Sequence, residues 1–167
     1  MSLAAVFEKA ATGTLPAPDG QVELLNEDAG KAFAVVAFPS CRAARRGGES
    51  LGLRPVSGEG YQRVQRAHRY RDDVRAWQTG DGAGCLTLGR GLAGRWEVSF
   101  EVEPPARGRG LGRALAAAAL GLLPPGTPVF AQVAPGNSVS LRATLAAGYV
   151  PVGAEVLLPR HAVAGAS

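Results

Sequence analysis

Histidine, cysteine and lysine are all scarce in this chain of 167 residues. The two histidines are His68 and His161, and the two cysteines are Cys41 and Cys85. Two cysteines are too few for a four-ligand zinc site or a disulfide scaffold. A Ser-His-Asp triad would rest on His68 alone, because His161 falls in a loose tail. No metal is therefore expected. No window of 18 consecutive apolar residues occurs, which excludes a transmembrane helix. The first residues carry Glu8 and Lys9 without a basic-then-apolar signal pattern. A cytoplasmic protein without membrane attachment is the resulting expectation. Aromatic residues make up only 6% of the chain, too few for a stacking platform along a nucleic acid, so that partner is disfavoured.

Lysine is reduced to Lys9 and Lys31, so arginine supplies almost all of the positive charge, and the net charge is +4. The arginines crowd between Arg42 and Arg75. A basic excess fits an anionic partner. Abundant Ala, Gly, Pro and Arg beside so little Lys also fits GC-rich coding, which would leave the arginines as a solvated face.

Hydrophobic patterning divides the chain into an N-terminal extension or partial layer (1–50), a main domain (51–158) and a flexible tail (159–167). In the first part, residues 32–38 form an apolar run suited to a buried strand or helix, and residues 21–25 suit a short strand. Residues 41–50 are small, polar and Arg-rich, as in a loop. Residues 53–56 suggest a strand. Residues 60–70 suggest a helix with Tyr61, Val64, Ala67 and His68 on one side. Three strand-like segments follow at 74–78, 85–88 and 95–102. The last alternates, with Trp96, Val98, Phe100 and Val102 on one face and Glu97, Ser99, Glu101 and Glu103 on the other. Turn residues separate the segments, predicting an antiparallel meander. Pro104-Pro105 ends the third strand. A helix is predicted over 111–123, with a stripe of Leu111, Leu115, Ala118 and Leu122, then a strand over 128–133. A second helix starts at Pro135-Gly136-Asn137 and stops at Gly148, and a last strand spans 149–158. Strands followed by strand–helix–strand–helix–strand predict a mixed α/β sheet.

The stretch from Val102 to Leu115 carries the chemistry. Arg107, Gly108, Arg109, Gly110, Leu111, Gly112 and Arg113 lie between a strand end and a helix start. Glycines let the backbone turn tightly and approach a ligand. Successive amides then point outward where the helix dipole favours negative charge. A pyrophosphate suits such a cradle; the alternative is a plain Gly-rich connector. A P-loop is excluded for want of Gly-Lys-Ser/Thr. Gly89, Gly91 and Gly94 spell G-x-G-x-x-G, but a strand follows them, so they are read as a hairpin turn.

The segment Val102–Gly112 resembles the acyl-CoA-binding motif of the GNAT family of N-acetyltransferases, Arg/Gln-x-x-Gly-x-Gly/Ala after a strand ending in Val-x-Pro. Arg107, Gly110 and Gly112 match it. Asn137, Ser140, Gly148 and Tyr149 resemble the family's second motif, Asn-x-x-Ser/Ala on a helix ending in Gly-Phe/Tyr. The resemblance covers 51–158. It implies a GNAT-like, mostly antiparallel mixed sheet with helices on both faces and a splayed parallel strand pair that holds acetyl-CoA as co-substrate. It implies that the Val102 backbone pairs with the pantetheine arm and that the amides from Arg107 to Arg113 hold the pyrophosphate. Asn137 would face the ligand, act as an ordinary N-cap, or do both. The family often dimerises, which leaves room for a homodimer.

The implied reaction is direct acetyl transfer to an amine, which must be neutral to attack. Deprotonating a lysine-type amine near neutral pH requires about 4 kcal/mol. A carboxylate base is the usual helper. Glu97, nearest the family's base position, and Glu101 are the candidates, unless they serve as cross-strand partners of the arginines. The family's acidic tyrosine is replaced by Thr144, leaving Ser140 as a weak candidate donor. Only one helix fits before residue 74, where the family has two walling the acceptor. A non-catalytic acyl-CoA-binding module is the alternative.

Overall fold

The computed structural model of the chain describes residues 30–37, 51–134 and 136–157. They form one mixed α/β unit. The strands are β1 (Gly30–Ala37), β2 (Arg54–Val56), β3 (Asp72–Gln78), β4 (Gly84–Arg90), β5 (Trp96–Val102), β6 (Val129–Val133) and β7 (Val150–Leu157). The helices are α1 (Gln62–Tyr70), α2 (Leu111–Gly121) and α3 (Ser138–Ala146). The single sheet has the order β2-β3-β4-β5-β6-β1-β7. The meander from β3 to β5 is antiparallel, as the turn residues between its segments predict, and β2 adds to it antiparallel to β3. Among the described residues, only β5 and β6 pair in parallel.

That parallel register is short. It joins Trp96 to Val129, Glu97 to Phe130 and Val98 to Ala131, and goes no further. Beyond it β5 continues to Val102 and β6 to Val133 without pairing to each other. The two strands therefore part on the side where their C-terminal ends lead into α2 and α3.

The extension predicted for residues 1–50 has no boundary at residue 50 in the sheet. Strand β1 runs between β6 and β7 and is antiparallel to both. Its apolar run is thus a strand, and an inner one. The segments at 21–25, 41–50 and 159–167 lie outside the described residues.

The main core lies between the sheet and α2 with α3. Leu86, Leu88, Val98, Leu115, Val129 and Leu141 belong to it. The predicted stripe on α2 is broader than drawn, because Ala116 and Ala119 are as buried as Leu115. Alanines let the helix axis approach the sheet closely. Helix α2 stops at Gly121, ahead of Pro124-Pro125, which lack the amides to continue it. On the other face, α1 buries Val64 and Ala67 near Ala76 and Cys85. His68 points outward and is exposed.

Helix α3 ends in a Schellman arrangement. Gly148 adopts φ 94°, its amide bonds Leu145 O, and the Tyr149 amide bonds Thr144 O. Tyr149 is then core, as its position suggests, donating its hydroxyl to Ala116 O at 3.1 Å. Burial holds that phenol well above its ordinary pKa.

Truncation of Leu115, which has no solvent exposure, removes the centre of this core. Leu115→Ala is expected to cost about 2–5 kcal/mol, read as a lowered urea midpoint.

Candidate functional site

Strand β5 leads into a short 3₁₀ turn at Pro104–Ala106 and then the Gly/Arg loop. Gly108 (φ 77°) and Gly110 (φ 83°) sit in the left-handed region, which side-chain-bearing residues resist. They turn the chain so that Gly110 caps α2 without a capping side chain. The first α2 amide with a backbone acceptor is that of Ala114, which bonds Gly110 O at 3.0 Å. The amides of residues 108–113 have no backbone acceptor among the described residues. They face solvent around an exposed loop at the positive end of the helix dipole. Arg109 and Arg113 are exposed beside them. Leu111 instead turns its side chain toward the core. Gly112 serves packing, since a Cβ there would lie 3.3 Å from Phe100 and 3.7 Å from Ala143.

Arg107 bends back and donates from Nε to Val102 O at 2.9 Å. The neighbouring Glu103 amide bonds Ala83 O toward β4. Backbone groups of adjacent strand residues address opposite edges. The Val102 carbonyl therefore lies on the edge that β6 has left, with the Arg107 guanidinium on it.

Across the gap, Asn137 is the N-cap of α3, accepting from the Ser140 amide at 3.0 Å. That cap commits its Oδ1 to the helix. The Thr144 hydroxyl bonds Leu141 O at 2.9 Å and Ser140 O at 3.1 Å, and Thr144 is 1% exposed. It is folded into its own helix and reaches nothing in the gap. Ser140 is half-buried one turn earlier.

The acidic residues of β5 have two different fates. Glu97 is 3% exposed. Its Oε2 accepts from Arg71 Nε at 3.0 Å, and its Oε1 from Arg95 Nε at 3.0 Å and the Leu92 amide at 3.3 Å. Gly91 makes room for this carboxylate, because a Cβ there would lie 2.3 Å from Glu97 Cδ. The Gly89–Gly94 stretch is thus a turn folded around Glu97, consistent with a hairpin and not with a dinucleotide loop. A base needs an oxygen aimed at substrate. Both oxygens of Glu97 are committed to structure, so the cross-strand alternative describes it better than the base assignment.

Glu101 differs. Its Oε2 is buried and has no hydrogen-bond partner. The register places Glu101 opposite Cys85, and Cys85 opposite Gln78. Gln78 Nε2 donates to the Tyr61 hydroxyl. A polar row therefore crosses the α1 face from β5 to the start of α1. Burial, then the negative groups Cys85, Glu103 and Glu101, raise the Tyr61 phenol above its ordinary range, opposed by the Gln78 bond. Burial also pushes the Cys85 thiol from 9.0 to about 11. Sequence patterning put Tyr61 on an apolar helix side and Cys85 in a strand. Only strand register, fixed by the Gly80–Gly82 turn, joins them to Glu101.

No helix among the described residues is long and apolar enough to cross a membrane. No three His, Cys, Asp or Glu side chains gather among those residues as a metal site would require.

Removing one partner of a buried ion pair strands the other. Glu97→Ala is expected to cost about 3 kcal/mol in urea unfolding by leaving Arg71 unpaired. A second outcome follows from Cys85. Its thiol ionises at a lower pH in the unfolded chain than in the folded one. Its contribution to stability is therefore complete below pH 9.0 and lost as pH rises toward about 11. Urea midpoints of the parent should fall faster over that window than those of Cys85→Ala.

Comparison of the chain with family models, with curated proteins and with solved structures finds no match in any of the three.

Proposed function

We propose that this chain is an acyl-CoA-dependent N-acyltransferase of GNAT-like fold, moving acetyl from acetyl-CoA to a primary amine of a small molecule or peptide. The observation that carries the proposal is the run of amides at 108–113 without backbone acceptors among the described residues, at the helix end beside the parting β5 and β6. Such amides make charge-assisted bonds to a pyrophosphate, each contributing about 1.5–3 kcal/mol. The gap between the strands suits a narrow pantetheine arm, with the Val102 carbonyl as its backbone partner once Arg107 swings toward the phosphates.

Glu101 is the base in this reading. Its unpartnered buried oxygen is available to take a proton from the acceptor ammonium, which leaves the amine neutral. The amine nitrogen then bonds the acyl carbon as the carbon–sulfur bond breaks, and the proton it sheds in becoming an amide goes to the departing thiolate. Acetyl-CoA supplies the acyl group and a thiolate leaving group. A thiol of ordinary pKa near 8.5 departs readily near neutral pH, so the reaction tolerates Thr144 where the family has tyrosine. Tyr61 and Gln78 line the approach to Glu101 and orient the amine. Helix α1 is the one helix between β2 and β3 on the acceptor side.

A non-catalytic acyl-CoA-binding module is the second reading. It is favoured by the Thr144 hydroxyl, which is spent within α3.

Calorimetry with acetyl-CoA, and with free CoA as control, tests the cradle. One saturable site is expected, and Gly110→Asp should abolish it by placing bulk and negative charge among the amides. Retained micromolar affinity in that variant would refute the cradle. Glu101→Gln should leave acetyl-CoA affinity unchanged and lower kcat by about a hundredfold or more. Binding with no acetylated product from a panel of amines, read by mass spectrometry, would favour the module.

A further inference from the structure

The two flanks of α1 meet different surroundings. On one flank His68 lines a cavity with Pro55, Val56, Val74 and Ala76, so that flank faces β2 and β3. Helical spacing sets Arg63, Arg66 and Tyr70 (i, i+3, i+7) together on the other flank. The Arg66 guanidinium carbon lies 5.8 Å from the centre of the Tyr70 ring, which aligns the stripe along the helix. This flank faces β5. Arg71, which follows the helix, reaches that strand, donating from Nη1 to Ser99 Oγ at 3.3 Å and from Nε to Glu97 Oε2 at 3.0 Å. Burial lowers the Arg71 pKa, Glu97 opposes it, and the charges of Arg66 and Arg63 lower it further, so both act on that guanidinium.

Helix and strand run in opposite directions here. Tyr61 stands at the Glu101 end, through Gln78 and Cys85, and Arg71 at the Glu97 end. The helix rises about 15 Å from Tyr61 to Arg71, and β5 spans about 13 Å from Glu101 to Glu97. Arg63 is therefore level with Glu101, and Arg66 with Ser99. Between these levels and Glu97 the face of β5 changes. Glu97 is buried, its carboxylate shared by Arg71 and Arg95. Ser99 and Glu101 are half-buried, and one Glu101 oxygen has no hydrogen-bond partner.

Arg63 and Arg66 are exposed, and neither joins an ion pair among the described residues. The other carboxylates around α1 lie elsewhere. Glu59 gives its carbonyl to Gln65, on the flank of His68. Glu103 lies past the end of β5. Asp72 and Asp73 follow the far end of the helix, where Asp73 pairs with Arg75. A carboxylate oxygen that lacks a donor thus stands beside two guanidiniums that lack a carboxylate. A simple amine answers the first and not the second. A diamine brings a second cation toward Arg63 and Arg66, where like charges repel. An amine with a carboxylate of its own answers both, because guanidinium groups hold a carboxylate through paired, charge-assisted bonds.

We propose that the acceptor is an amine bearing its own carboxylate, of amino-acid or short-peptide size, with the amine at Glu101 and the carboxylate on Arg63 and Arg66. The inference rests on the acyl-transfer reading and narrows its acceptor. Arg63 and Arg66 hold the part of the acceptor that does not react, and so select and orient it.

Acetyl transfer to glycylglycine, to glycylglycinamide and to putrescine tests this. The first two present the same peptide amine and differ at the carboxylate. The kcat/KM for glycylglycine is expected to exceed that for its amide by about tenfold or more, and that for putrescine by more again. Arg63→Ala and Arg66→Ala should each remove most of the preference, through a KM for glycylglycine raised about tenfold with kcat little changed. Arg66→Lys should keep part of it. Arg142→Ala, which removes an exposed arginine of α3 on the opposite face of the sheet, should leave it unchanged. Urea curves report whether the variants fold. Calorimetry of glycylglycine on the full chain, with and without CoA, reads binding apart from turnover. Saturable binding that either alanine variant weakens is expected. Equal kcat/KM for acid and amide overturns the inference and leaves the acyl-transfer reading standing. So does a preference that both alanine variants spare. No product from any of the amines, with glycylglycine binding that the alanine variants weaken, overturns the acyl-transfer reading and keeps the assignment of the arginine flank. Neither product nor binding overturns both.

Discussion

Three residue pairs hold this sheet together. Among the described residues, the strands β2–β5 and the group β6, β1 and β7 pair only through the register of Trp96–Val98 with Val129–Ala131. Continuing that register would close the sheet and leave no gap. Its early end depends on what lies behind the strands. Phe100 on β5 packs against the start of α2, where Gly112 admits it, and Ala143 of α3 also comes near. The helices therefore pack behind the strand ends, and the sheet stays whole where Val98 and Ala131 are buried. The amides of the α2 start and the Val102 carbonyl owe their exposure to this split.

Much of this arrangement was legible beforehand. The alternation of Trp96, Val98, Phe100 and Val102 with the acidic residues of β5 is a period-two signal of a strand, although burial does not alternate along it, since Trp96, Glu97 and Val98 are all buried. Gly148 and Asn137 announced both ends of α3, because a left-handed C-cap and an N-cap are local demands of the backbone. The mixed α/β sheet followed from the order of elements. What local pattern does not encode is pairing between distant segments. Residues 32–38 read equally as strand or helix, and nothing in them points to a slot between β6 and β7. The acidic face of β5 shows the same limit at the site. Glu97 and Glu101 are equivalent by periodicity. Arg71, from the end of α1, and the turn at Gly91 separate them, by enclosing one and not the other.

Arginine supplies both the scaffold and the charge. Arg71 is buried with Glu97, and burial pulls its guanidinium pKa down while Glu97 holds it up. Arg95 lies over Phe130 and Arg66 over Tyr70. With two lysines in the whole chain, nearly every such contact falls to a planar, weakly hydrated cation that stacks as well as pairs. Composition that looks like a coding bias is thus used structurally at several places.

The position of β1 bears on how the chain reaches this state. Gly30 pairs with Leu157, across nearly the whole described length, and Phe33 pairs with Val133. A strand near the start of the chain must wait for two of the last strands before its edges are filled. Contacts of such separation slow folding, because loop-closure entropy is lost before the contacts repay it. During synthesis the apolar strand Gly30–Ala37 emerges long before either neighbour exists. Chaperone holding, or transient pairing with the wrong edge, belongs to that interval, and a nascent chain stalled before β6 would carry this strand with neither neighbour present.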